Sequence, residues 1–456
     1  MISYKSFKKI FGCKFWKAFQ NLPLNTPSSY QEKEELLKSV YTAIKSKTYH
    51  PAKPEFYIAH NKGSGVARVS PVFTIKDYIV YYYCVIRLEH KLARNRTENT
   101  FGGWSISGLN YRDAEETEIQ KKIENLYDPT VSMPSWSFSP TAWYIAYKDF
   151  NAKLYVSLKE SSEGYVVELD IANFYDSINL DILKRKIGEV FDGKYRDELS
   201  LLFHFLNFWN KSINHYNPQT VGLPQDAMSD CSRILANFYL QEYDIYIKKI
   251  CDEIGAKYFR YADDQAIIVK NGDQIEHVIY CASRKLLALG LAINQKKVVI
   301  RTVDEMIEYR SYRLFDILLQ PGSNQDPDKS NNFIDEVTKL IVSDQREKIK
   351  ARGLPLLNRA LTCNWEKVAY PQRVKLFSWY LDDDFLKDAR TYQFSAILER
   401  LHDREKDDFV ASLDRLSERL IHNGFHYEVM AFMKATNKNS SAIQKRIATL
   451  RKIYAN

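Results

Sequence analysis

Tyr165-Val166-Val167-Glu168-Leu169-Asp170 and Tyr258-Phe259-Arg260-Tyr261-Ala262-Asp263-Asp264-Gln265-Ala266-Ile267-Ile268-Val269 are the stretches that decide the fold. Both are short and rich in β-branched and aromatic residues, as strands are. The second carries Ala262-Asp263-Asp264-Gln265 at its middle and reads as a hairpin with carboxylates at its tip. A carboxylate at the end of a hydrophobic strand is costly unless something compensates it. If the strands are neighbours in one antiparallel sheet, Asp170, Asp263 and Asp264 converge on one edge and repel one another unless divalent cations bridge them. Two hard cations roughly 3.5–4 Å apart form the clamp that stabilises attacking and leaving oxygens in phosphoryl transfer. An acidic pair is also an ordinary turn at a hairpin tip. Taken alone, these residues leave both readings open.

Outward from this centre, helical patterns are expected at 180–192, 196–210, 228–253 and 273–289. Upstream, the aromatic segment Asp77 to Leu92 is too long for a strand and reads as a buried helix. Ala67 to Val72 reads as a strand or hairpin. Residues 1–20 set lysines between Phe7, Ile10, Phe11, Phe15, Trp16 and Phe19 at helical spacing, which suits a docking helix or a nucleic-acid grip. Residues 320–332 are the clearest linker, and 333–456 give only helical patterns, without a fixed period. The expectation is an α+β chain: an N-terminal basic helical extension over 1–60, a sheet-bearing region over 61–320 and an all-α region over 321–456.

The 456 residues carry 65 Lys and Arg against 57 Asp and Glu, a net charge of +8, with 14% aromatic residues including 31 Tyr. Basic surface interleaved with rings suits a single-stranded nucleic acid, although a tyrosine-rich core explains the same composition. The longest apolar run, Tyr78 to Ile86, falls well short of the roughly 20 residues a bilayer span needs. A secretory signal is not supported at the N-terminus, so a cytoplasmic protein without membrane contact is expected. The six cysteines contain no C-x-x-C pair and read as buried thiols.

Four stretches follow one another: Asp170-Ile-Ala-Asn-Phe-Tyr-Asp-Ser-Ile178; Gly222-Leu-Pro-Gln225 leading into Ser232-Arg-Ile-Leu-Ala-Asn237; Tyr261-Ala-Asp-Asp264; and Leu289-Gly-Leu-Ala-Ile-Asn-Gln-Lys-Lys297. In this order they resemble motifs A, B, C and D of reverse transcriptases over about residues 65–315. The wording, with Glu98-Asn-Thr-Phe-Gly-Gly-Trp104, looks most like the bacterial abortive-infection and defence-associated group, the unknown-group reverse transcriptases. The resemblance implies polymerase fingers and palm, an antiparallel sheet with helices, followed by an α-helical thumb-like or repeat domain. It implies an RNA-directed DNA polymerase that uses two Mg²⁺ ions, or Mn²⁺ in their place, and works in antiphage defence.

By the same resemblance, Asp170 and Asp263 hold both metals, Asp264 assists and the Ile171 carbonyl is a further ligand. Tyr175, beside Phe174, matches the steric gate that crowds a ribose 2′-OH. Pro224, Gln225 and Ser232 belong to the segment under the templating base and incoming nucleotide, and Lys297 would neutralise or protonate the pyrophosphate leaving group. Arg68 and Lys76 lie where the family places triphosphate-gripping cations. Two departures stand out. Asp226 follows Gln225 where the family has glycine, adding a carboxylate expected near the template. Phe101-Gly102-Gly103-Trp104 lacks the arginine of the family's FG-x-R element.

The implied partners are an RNA template, dNTPs and a DNA product, a small non-coding RNA, and further copies or other subunits in an oligomer. Two alternatives stay open: untemplated or protein-primed DNA synthesis, and a non-catalytic RNA-binding scaffold.

Overall fold

A computed structural model describes residues 2–380 apart from 20–21, 23, 62–66, 104, 107–110, 112–114, 116, 119–120, 122–142, 162, 211–221, 311, 318–324, 343–355 and 357–358, and beyond 380 positions 407, 408, 411 and 415. Apart from those four positions, the helical patterns expected after Tyr380 lie outside the described residues. The chain divides into two compact units, one of residues 1–57 and 71–303, the other of residues 58–70 and 304–456.

In the first unit, three helices, α1 (Tyr4–Ile10), α2 (Cys13–Ala18) and α3 (Tyr30–Lys45), precede the long α4 (Ile75–Leu92). The single N-terminal helix expected over 1–20 is broken at Phe11-Gly12. Its apolar face is a docking face: Phe7, Phe15 and Phe19 are fully buried, with ring centroids 5.2, 5.6 and 5.4 Å from Tyr83, Tyr82 and Tyr78 of α4. Thr74 caps α4, its hydroxyl accepting from the Asp77 amide, and almost every side chain of the helix is buried, as its unbroken apolar run requires.

A short strand β3 (Thr100–Phe101) and helix α5 (Trp143–Glu160) lead to β4 (Tyr165–Asp170), the one-turn α6 (Phe174–Ser177), α7 (Leu180–Phe191) and α8 (Arg196–Phe208). Helices α9 (Asp230–Tyr239) and α10 (Gln241–Glu253) then precede β5 (Lys257–Tyr261), β6 (Asp264–Val269), α11 (Asp273–Leu287) and β7 (Val299–Thr302). The continuous helix expected over 228–253 is two helices with a break at Leu240, where Gln241 turns inward to donate to the Leu92 carbonyl at 2.8 Å.

The sheet order is β3-β5-β6-β4-β7, with β3 parallel to β5 and the other pairs antiparallel. The mixed α+β class expected from the sequence is the observed one. Strands β5 and β6 form the anticipated hairpin, turning over Ala262-Asp263 with Ala262 in the left-handed region at φ 54°. A separate two-stranded sheet pairs β1 (Phe56–Asn61) with β2 (Ala67–Val72).

Behind the hairpin lies a fully buried charge. Arg260, with no exposed surface, donates through Nε and Nη2 to both oxygens of Asp244 on α10, at 2.7 and 2.6 Å. Its Nη1 donates to Asn237 Oδ1 on α9 and to the Ala262 carbonyl, each at 2.8 Å. Burial opposes the guanidinium's charge, but Asp244 outweighs it and holds the proton more firmly than usual. The Tyr258 hydroxyl donates to the same carboxylate at 2.8 Å.

In the second unit, α12 (Val303–Tyr309), which begins at the boundary, is followed by α13 (Tyr312–Asp316), α14 (Pro327–Val342) and α15 (Tyr370–Tyr380). The linker expected over 320–332 is therefore helical from Pro327. Asp326 Oδ1 accepts from the Asp328 amide at 2.9 Å and Pro327 opens the helix, a start that the Pro-and-Asp composition concealed. All six cysteines are free thiols, and Cys13 is exposed rather than buried.

Because truncating one partner strands the other's charge in the interior, Arg260→Gln is expected to cost about 3–5 kcal/mol of unfolding free energy by urea titration. Asp244→Asn should cost a similar amount.

Candidate active site

The aspartates meet through strand register. β4 and β6 are antiparallel with Asp170 directly opposite Asp264, and Asp264 is also opposite Tyr261 across the hairpin. Directly opposed residues project to the same face, so Asp170, Asp264 and Tyr261 share one face of the sheet, with Asp263 in the adjoining turn. The opposite face carries the Arg260 network, whose bond to the Ala262 carbonyl fixes the turn from behind.

Asp170 is nearly buried and both of its carboxylate oxygens are engaged: Lys297 Nζ donates to Oδ1 at 2.9 Å and Asn294 Nδ2 to Oδ2 at 3.1 Å. The segment after Leu291 lies along the residues after β4. Ile171 bridges Ile293, the Ala172 amide donates to the Ala292 carbonyl at 2.8 Å, and the Asn294 amide to the Asp170 carbonyl at 2.8 Å. That pairing places the Gln295–Lys297 3₁₀ turn beside the carboxylate. The hydrogen bond to Asp170 raises the Lys297 ammonium pKa, with Coulombic support from Asp170, Asp264 and Asp263. Asn294 was missed in the sequence, where its only signal was its place three residues before Lys297.

Among the described residues, no group of three or more His, Cys, Asp or Glu side chains converges closely enough to hold a metal ion. Two of the three expected ligands are paired in register, and the Lys297 cation sits on the first of them. The donor set of paired hard oxygens nevertheless has the chemistry a hard divalent ion takes.

Tyr175 and Phe174 follow on α6, begun by Asn173 in the left-handed region at φ 44°. Phe174 is buried, whereas Tyr175 is half-buried. The motif B turn lies on their backbone: the Leu223 amide donates to the Tyr175 carbonyl at 2.9 Å, and a Cβ on Gly222 would come within 2.1 Å of that oxygen. Only glycine fits there. Gln225 is half-buried, but Pro224 and Ser232 are buried. Ser232 Oγ donates to the Pro224 carbonyl at 2.6 Å and lies 2.9 Å from the Tyr81 hydroxyl. Ser232 has no exposed surface and fastens the loop from inside. Arg68 is exposed on β2 in the second unit, and Lys76 is exposed on the first turn of α4.

Asp226 also departs from expectation. It is 2% exposed and does not project charge into a groove. Its Oδ2 accepts from the Met228 and Ser229 amides at 3.1 and 3.0 Å, while Oδ1 is buried beside the Tyr78 hydroxyl without a well-formed bond between them. Burial raises its pKa to about 7, against the two amides, which lower it. Next along the loop, Tyr82 donates to Asp230 Oδ2 at 3.0 Å. Thus Tyr82, which receives Phe15 of the N-terminal helices, also holds the motif B segment.

In Phe101-Gly102-Gly103, both glycines have positive φ, and a Cβ on Gly103 would lie 2.7 Å from the Arg233 backbone. The Gly102 carbonyl accepts from Asn237 Nδ2 at 2.8 Å and Arg96 Nη1 at 3.1 Å. Arg96 is buried, its pKa pushed down to about 9 by burial and by Arg260, so it supports the loop rather than serving as a surface cation.

Among known families, the one described as reverse transcriptase (RNA-dependent DNA polymerase) matches residues 105–334. No curated protein matches the chain. Similar solved structures include apo telomerase from Candida tropicalis truncated from its C-terminal domain, at 13% identity and a TM-score of 0.32, covering 59% of this chain and 55% of that one. Telomerase from Candida albicans in complex with a fragment of telomeric RNA is 12% identical with a TM-score of 0.36, covering 91% of this chain and 68% of that one. The chain thus spans little more than half of the truncated telomerase.

Asp226 gives a pH signature. Its carboxyl has a folded pKa above the ordinary value near 4, so its contribution to stability is full below about pH 4 and is lost as pH rises through about 7. Relative to Asp226→Asn, wild-type stability in urea titrations is expected to fall across that window, by up to about 4 kcal/mol.

Proposed function

Since the chain belongs to the reverse transcriptase family, its matching region spanning half its length, we propose that it is an RNA-directed DNA polymerase acting at the face formed by Asp170, Asp264 and Tyr261. The observation that carries this reading is the register that sets Asp170 opposite Asp264, with Lys297 on Asp170. Asp170, Asp263, Asp264 and the Ile171 carbonyl would hold Mg²⁺. When bound, the ions supply Lewis acidity to the primer hydroxyl and the departing pyrophosphate. Lys297, which donates to Asp170 at 2.9 Å, would neutralise or protonate the departing pyrophosphate. Tyr175 walls the sugar side of the nucleotide pocket, and Gln225 stands on the loop that Gly222, Ser232 and Asp226 hold in place. Lys76, exposed on the first turn of α4, would supply a cation for the triphosphate.

The substrates are dNTPs with an RNA template, and the product is DNA. Templated synthesis is favoured over the untemplated alternative because Asp226, the residue that set motif B apart, is turned inward. The wording of motifs A and B supports a place in bacterial antiphage defence, with a small non-coding RNA as template or partner and assembly into oligomers in the cytoplasm. The Asp–Asp register with its lysine favours an enzyme over a non-catalytic RNA scaffold.

With a primed RNA template, Mg²⁺ and labelled dNTPs, the purified protein is expected to extend the primer. Asp170→Asn and the double variant Asp263→Ala, Asp264→Ala should fold normally by circular dichroism and lose about a thousandfold or more in rate. Equal product from the double variant overturns the assignment. Lys297→Ala should slow incorporation about a hundredfold, and Lys297→Arg separates the two roles, since arginine keeps the cation but does not release its proton.

A further inference from the structure

The carboxylate face has a wall that the motifs do not account for. Asp264 opposes both Asp170 and Tyr261, so the Tyr261 ring stands on the same side of the sheet as the carboxylates. Beyond it, towards β3, helix α5 covers this face: Ala146, Phe150, Leu154 and Leu158 are buried, with the Phe150 ring 5.8 Å from Phe101 and 6.0 Å from Tyr261. Tyr147 lies two turns before Leu154 and three residues before Phe150, at the margin of the covered area. Its ring meets Tyr261 edge-on, 5.1 Å between centroids and 73° between planes, yet 38% of the residue is exposed. Lys148 and Lys153 are exposed on the same helix.

We propose that the exposed ring of Tyr147 is a stacking site for a base of the nucleic acid strand lying against the carboxylate face, with Tyr261 holding the ring upright. A single exposed tyrosine on a protein surface needs no explanation of its own. This one is distinguished by its support, since a ring braced edge-on by a second ring loses little freedom when a base arrives. It is also distinguished by its neighbour, since Tyr261 is the residue directly across from Asp264. The Tyr261 hydroxyl senses both surroundings: burial raises its pKa, with smaller contributions from Tyr147, Asp264 and Asp263 against an opposing one from Arg233. Stacking on a π-face is indifferent to base identity, which suits a polymerase that must hold every sequence it makes. Lys148 and Lys153 supply cations for the neighbouring phosphates.

The inference rests on the polymerase reading, and one experiment separates the two. Binding of a fluorescent primer–template duplex is measured by anisotropy without dNTPs, for wild type and for Tyr147→Ala, Tyr147→Phe and Tyr147→Trp, with melting temperatures confirming that each variant folds. Tyr147→Ala is expected to raise Kd roughly 5- to 100-fold, with Phe and Trp within about threefold of wild type. An unchanged Kd in Tyr147→Ala, or a loss in Tyr147→Phe as large as in Tyr147→Ala, overturns the stacking site while wild-type primer extension still stands. Failure of the wild type to extend the primer overturns the polymerase reading instead.

Discussion

A guanidinium with no exposed surface must find all its counter-charge and acceptors inside the protein, and Arg260 finds them on three different segments. Asp244 anchors it to α10, Asn237 to α9, and the Ala262 carbonyl ties it to the turn that carries the carboxylates. Asn237 passes the connection on to the Gly102 carbonyl. Taking such a charge out of water costs several kcal/mol, and only this near-complete set of partners makes the arrangement tolerable. The cost has a structural return, because a hairpin tip is otherwise the part of a sheet freest to move. The carboxylates therefore stand on a turn whose backbone is held from the opposite face.

The same logic repeats beside the hairpin. The motif B loop has little regular structure of its own, so its polar groups are met by side chains: Tyr81 at Ser232, Tyr82 at Asp230, and Asp226 on the amides of Met228 and Ser229. The tyrosines are rigid because their helix is buried, and it is buried partly by the aromatic face of the N-terminal helices. Phe15 consequently reaches the motif B segment through Tyr82. An N-terminal segment that in sequence offers nothing but lysines and rings becomes a buttress for the loop.

Much of this was legible in local sequence. Alternation and β-branching marked β4, β5 and β6, and the Ala-Asp-Asp step marked their turn, because strand and turn preferences are set by a residue and its immediate neighbours. The failures share a cause. The break at Leu240 arises where Gln241 reaches a carbonyl on α4, 149 residues away. The helix beginning at Pro327 hid in a composition that usually signals a linker. Asp226 was expected at the template, yet it is buried. Whether a polar side chain faces solvent or interior is decided by elements distant in the chain, and spacing does not encode it.

By itself, then, the sequence determined strands β4, β5 and β6, the carboxylate hairpin, the order of the four motifs and the chemistry those motifs imply, since each depends on residue types a few positions apart. Tertiary structure alone decided that Asp170 stands opposite Asp264, that Lys297 and Asn294 occupy its two oxygens, and that Arg260 secures the turn from behind. These are pairings across long stretches of chain. Their partners are selected by register and burial, which exist only once the sheet has formed.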